Sequence, residues 1–109
     1  MPKYLIEASY TPEGLKGLQK DKASGRVAAI TKAIEALGGK FECMYFCLGE
    51  NDAIVIVDAP DIASLAALGI AASSTGLART KATALLTIEE TDQALAKSVA
   101  YKAPGKGSA

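Results

Sequence analysis

Four carboxylates and one arginine (Glu7, Glu42, Asp52, Asp58 and Arg79) are the side chains best suited to moving a proton or holding a polar ligand. Tyr4, Tyr10 and Tyr45 could add hydroxyl donors. A carboxylate enclosed by apolar walls becomes a base near neutrality, so acid–base work on a small molecule is the chemistry these residues suggest. The ordinary reading of each acid is a solvated or paired charge. Histidine is absent, which removes the commonest general base and the usual proximal haem ligand. Gly14, Gly17 and Gly25 are too widely spaced, and lie in helical stretches, to cradle a phosphate.

Cys43 and Cys47 lie four residues apart in a stretch that reads as a strand. At about 3.3 Å per residue their Cα atoms are roughly 13 Å apart. A disulfide needs less than about 7 Å, and two thiolates so far apart cannot share one ion. Buried free thiols are expected, and no cofactor or metal is.

These groups need a scaffold, and 109 residues make one domain. Half the residues are hydrophobic, so a packed core is expected, filled mostly by Ala, Val, Ile and Leu because Trp is absent and Phe occurs twice. Twelve basic and twelve acidic residues cancel. Without a basic excess, nucleic acid is not an expected partner. Met1-Pro2-Lys3 runs directly into a strand pattern, with no signal peptide, and the apolar stretch from Ile62 to Ala72 is far shorter than the ~20 residues a membrane span needs. A cytoplasmic protein without a membrane partner is expected.

Lys3 to Tyr10 alternates and predicts a strand. Thr11-Pro12-Glu13 opens a helix with a capping hydroxyl, a proline and an acid. Its pattern falters from Lys20 to Gly25, then resumes with Val27, Ile30, Ile34 and Leu37 on one face until Gly38-Gly39 stops it. Lys40–Leu48 and Ala53–Ala59 predict a hairpin joined by Gly49-Glu50-Asn51-Asp52. Pro60-Asp61 opens an alanine-rich helix that runs to about Ser74. Leu77 to Leu86 is a fourth strand, and Thr87 with Glu90 forms a capping box for a last helix reaching about Tyr101. The basic end from Lys97 to Ala109, with Lys102 and Lys106, reads as a solvated tail.

The order β-α-β-β-α-β-α predicts an α+β, ferredoxin-like βαββαβ fold with an extra C-terminal helix. Strands one and three would lie inside a four-stranded antiparallel sheet, with both main helices on one face. Strict alternation then puts Leu5, Glu7, Glu42, Met44, Phe46, Leu48, Ile54, Ile56, Asp58, Arg79 and Lys81 on the open face. So much apolar surface predicts pairing with a second copy, and the charges predict a semi-polar cavity between the copies. Glu7 and Arg79 are expected to pair directly. Glu42 has no cation of its own chain in view, so its partner would come from a second subunit, water or a ligand.

Three stretches, "MPKYLIEASYTPEGLKGL", "ALGGKFECMYFCLGENDAIVIVDAPD" and "GLARTKATALLTIEET", resemble the GYD-domain family of small bacterial proteins. The resemblance covers about Pro2 to Asp92, giving a domain over 1–92 and a helix end and tail over 93–109. It implies the dimeric α/β-barrel superfamily and, by fold-level analogy, three functional readings. The first is a small-molecule binding or regulatory module. The others are a cofactor-independent monooxygenase- or isomerase-like enzyme using a barrel carboxylate, and a purely structural protein. Gly49 and Asp52 match the family signature, while Asn51 stands where an aromatic is usual. Asp52 is read either as a turn residue bonding to nearby backbone N–H groups or as a ligand or proton-transfer group at the barrel mouth. The candidate binding residues are therefore Glu7, Glu42, Phe46, Asp52, Asp58 and Arg79, with a second copy and a small molecule as expected partners.

Overall fold

A computed structural model describes residues 1–105. The elements are β1 (Lys3–Tyr10), α1 (Pro12–Ala36), β2 (Lys40–Phe46), β3 (Ala53–Asp58), α2 (Ile62–Ser74), β4 (Ala78–Leu85) and α3 (Ile88–Leu95). The four strands form one antiparallel sheet in the order β2-β3-β1-β4. This is the ferredoxin-like α+β arrangement that the element order predicts. The part of the tail at 106–109, with Lys106, lies outside the described residues.

Local chemistry sets the boundaries. The Thr11 hydroxyl accepts from the Gly14 N–H at 3.2 Å, and Asp61 caps α2 by accepting from the Ser64 N–H at 2.7 Å. That bond holds the Asp61 carboxyl below its ordinary value. Thr87 and Glu90 form the expected reciprocal capping box. Gly38 ends α1 at φ 84°, in the left-handed region that favours glycine. Where the α1 pattern falters, the helix breaks at Lys22 (φ 66°, ψ 166°) and restarts.

The last helix ends at Leu95 rather than near Tyr101. Val99 and Tyr101 are exposed and have no surface to pack on. An unsupported helix this short is marginal, and Ser98 and Val99 are weak helix formers.

The core lies between the helices and the sheet. Tyr4, Ile6, Val55 and Val57 from the sheet meet Ile34 of α1 and Leu65 of α2. Alternation in β1 and β3 agrees with the expected faces. In β2 it does so only to Glu42. Phe41 lies opposite Val57, but Cys43 lies opposite Ile56, so two residues of β2 span one step of β3. This bulge reverses the faces of everything after it. Met44 and Phe46 therefore stand on the helix side, opposite Val55 and Ala53, while Cys43 and Tyr45 stand on the open face opposite Ile56 and Ile54. The open-face placement of Met44 and Phe46 is thereby corrected.

Close packing of α1 on the sheet depends on Gly14. A Cβ there would stand 2.0 Å from the Leu77 carbonyl oxygen, whereas one at Gly17 would meet nothing within 4 Å. Gly14→Ala should lower the free energy of unfolding by about 1–3 kcal/mol. Gly17→Ala should raise it by about 0.5–1 kcal/mol through the entropy of the unfolded chain. Urea denaturation of the two variants checks both signs.

Candidate functional site

The candidate residues divide between the two ends of the open face. At one end, Lys3 of β1 lies opposite both Asp58 of β3 and Leu85 of β4. Its ammonium bonds the Asp58 carboxylate at 3.0 Å and reaches across β3 to the Glu42 carboxylate. One lysine thus ties three strands together. Glu42 does have a cation from its own chain, contrary to expectation. Lys3 was invisible in sequence because its role depends on the Lys3–Asp58 register.

Hydrogen bonds donated first to Glu42 and then to Asp58 raise the Lys3 pKa above its ordinary 10.5. A cation favoured by folding contributes stability that is fully present below its unfolded-state value and is lost as pH rises through the higher folded-state value.

The other end holds Glu7, Asn51, Asp52 and Arg79. The Glu7 carboxylate accepts from the Asn51 side-chain amide at 2.6 Å. Glu7 lies opposite Lys81, while Arg79 lies opposite Ser9 and is exposed. The expected Glu7–Arg79 pair does not form: the ion pairs of the described residues are Lys3–Glu42, Lys3–Asp58 and Lys16–Glu13. Asn51, placed in sequence only as a turn-former, reaches the sheet face.

Asp52 fastens the β2–β3 turn to β1. Its N–H donates to the Ala8 carbonyl at 2.9 Å, and its carboxylate accepts from the Tyr10 N–H at 2.7 Å. β3 begins at Ala53, so no β3 residue pairs with Tyr10, and the carboxylate stands in for a strand carbonyl. The partner is a backbone N–H, though one 42 residues away rather than local.

Between the two ends runs a row of Cys43, Ile56 and Leu5 that ends at Thr83 on β4, followed by Tyr45 and Ile54 beside Glu7. Tyr45 is 65 % exposed. The Glu42–Asp58 group and Glu7 are four residues apart along the strands, roughly 13 Å. They do not converge on one point. Phe46, the remaining candidate, is on the opposite side of the sheet and 39 % exposed.

The helix side holds a cavity that sequence reasoning did not anticipate. It has a volume of about 300 Å³ and lies between the sheet and both main helices. Ile6, Met44 and Val55 form part of its sheet wall, and Ile30, Leu65 and Leu68 part of its helix wall. Alanines at 29, 33, 71 and 72 leave the space that larger side chains would fill. Arg26, Tyr10 and Thr80 are the polar side chains on its wall. Arg26 lies four residues before Ile30 and eight before Ile34, a helical spacing that could have placed it on the inner stripe of α1.

Both cysteines are free, but they are half-buried rather than buried, and Cys47 lies just past the end of β2. Among the described residues, no group of three or more His, Cys, Asp or Glu side chains is placed to hold a metal ion. No helix among them is long and apolar enough to cross a membrane.

A family model described as the GYD domain matches residues 4–95. No curated protein matches the chain, and no solved structure does.

The Lys3 cluster gives a pH signature. Lys3→Met should lower the urea midpoint by an amount that is constant from neutrality to about pH 10. The difference from the unaltered protein should shrink as pH rises above 10.5 and the lysine discharges in both folded and unfolded chains. Paired urea titrations across that range measure it.

Proposed function

The chain belongs to the GYD-domain family, and on that premise we propose that it is a small-molecule binding module that works as a homodimer. The observation that carries the binding reading is the apolar cavity of about 300 Å³ beneath the helices. Ligand sites are concave, mostly apolar spaces of ~300–1,000 Å³ with a few polar groups to orient the guest. This cavity has that size and lining. The alanines of α1 and α2 keep it open.

The homodimer reading rests on the open face. Its central row is mostly apolar, and among the described residues both main helices pack on the other side of the sheet. An apolar patch rimmed by charges of both signs suits a self-complementary two-fold contact. Cytoplasmic residence and a bacterial source fit this reading.

The enzyme reading has less support. Glu42 and Asp58 bind Lys3, Glu7 binds Asn51, and Asp52 binds the backbone of β1. Each carboxylate that could act as a base already has a partner within the chain.

Two measurements test the proposal. Light scattering at micromolar concentration should give at least twice the 11.2 kDa chain mass, and Ile56→Glu should return it to that of one chain. A monomeric unaltered protein would contradict the dimer. The neutral fluorophore N-phenyl-1-naphthylamine should brighten saturably on binding the folded protein. Ala33→Leu, which fills the cavity, should abolish that signal while the circular dichroism stays unchanged. Equal brightening with the filled cavity would remove the binding reading.

A further inference from the structure

We propose that the cavity takes an apolar molecule ending in a single carboxylate, with Arg26 as the residue that selects the anionic end. This deepens the binding reading and rests on it.

The geometry around Arg26 carries the inference. The Nε of Arg26 is buried and has no hydrogen-bond partner among the described residues. A buried donor left unpaired is costly, and more so when it belongs to a charged group. No ion pair relieves it, because the three pairs among the described residues leave Arg26 out. A guanidinium is a permanent cation with a planar fork of donors, and its matching partner is a carboxylate held by two parallel bonds.

The position of Arg26 fits an end-on guest. A second, smaller pocket of about 180 Å³ adjoins the cavity, and Arg26, Tyr10, Ala72 and Ala78 line both. Arg26 therefore stands at the junction of the two spaces. The smaller pocket is the more polar, with Asp21 and Thr75 on its wall. The larger runs away from the junction toward Met44, Val55 and Leu65. A guest lying along this line puts its tail among aliphatic side chains and its head at the arginine. Asp21 also lies near this junction, yet it is exposed and forms no ion pair with Arg26. A multiply charged metabolite would place further charge against the aliphatic walls, where nothing answers it. The cavity therefore suits one anionic group and not several.

Isothermal titration calorimetry with octanoate and 1-octanol tests this, because the two probes share a tail and differ in the head. The folded protein should bind octanoate at least tenfold more tightly than 1-octanol. Arg26→Met should lose that preference, weakening octanoate at least tenfold while leaving 1-octanol within twofold. Arg26→Lys should keep part of it, and stands in for the methionine variant if that one does not fold. A purely structural arginine would weaken both probes together. Equal affinity of the unaltered protein for the two probes would overturn the anion preference and leave the binding module standing. Failure of octanoate to bind, while the neutral fluorophore binds, would likewise overturn it. Failure of all three would remove the binding reading itself.

Discussion

The bulge at Glu42 decides what each side of this sheet can do. Side chains on a strand alternate with a period of two, so one extra residue reverses every position that follows. Without it, Cys43 and Tyr45 would point at the helices, and Met44 and Phe46 would point away. With it, Met44 joins the wall of the cavity beneath α1 and α2, and Tyr45 becomes the most exposed aromatic of the open face. The same local bend leaves Glu42 free to reach Lys3 across the neighbouring strand. The bulge thus sets which β2 side chains face the helices and which face the open side of the sheet.

The polar contacts at the two ends of the open face have a common logic. Each ties an outer piece of the sheet back to central β1. Lys3 gathers β3 and β2 at one end. Asn51 and Asp52 gather the β2–β3 turn at the other. The residues that first suggest catalysis are therefore largely used in construction. The buried donor left without a partner among the described residues is on the opposite side, at the Nε of half-buried Arg26. A charge that folding leaves unsatisfied points to a ligand more directly than charges that folding has paired.

Much of the fold was legible because its signals are local. Thr11, Asp61 and Thr87 announce helix starts through their own hydroxyl or carboxylate bonds. Gly38 announces a stop because other residues rarely tolerate its backbone conformation. The bounds of β1 follow from alternation alone. The site was less legible because it depends on register and packing. Nothing in the run Phe41-Glu42-Cys43 marks an extra residue, since both phases of the alternation put apolar residues on each face. The link from Lys3 to Glu42 spans 39 positions and exists only once three strands are aligned. The cavity is an absence of volume, and an alanine-rich helix can as easily mean close packing as an open space. Only the inner spacing of Arg26, Ile30 and Ile34 hinted that a charge faces inward.

The proposed function requires that a ligand bind on the helix side of the sheet and not on its open side. Methyl-resolved nuclear magnetic resonance of the protein, titrated with octanoate, tests this assignment of sides. Methyl groups of Ile6, Ile30, Met44, Leu65 and Leu68 line the cavity, while those of Leu5, Ile54 and Ile56 belong to the open face. Saturable shifts confined to the first group are expected. Shifts centred on Leu5, Ile54 and Ile56, with the cavity methyls unmoved, would contradict this and place the ligand on the open face.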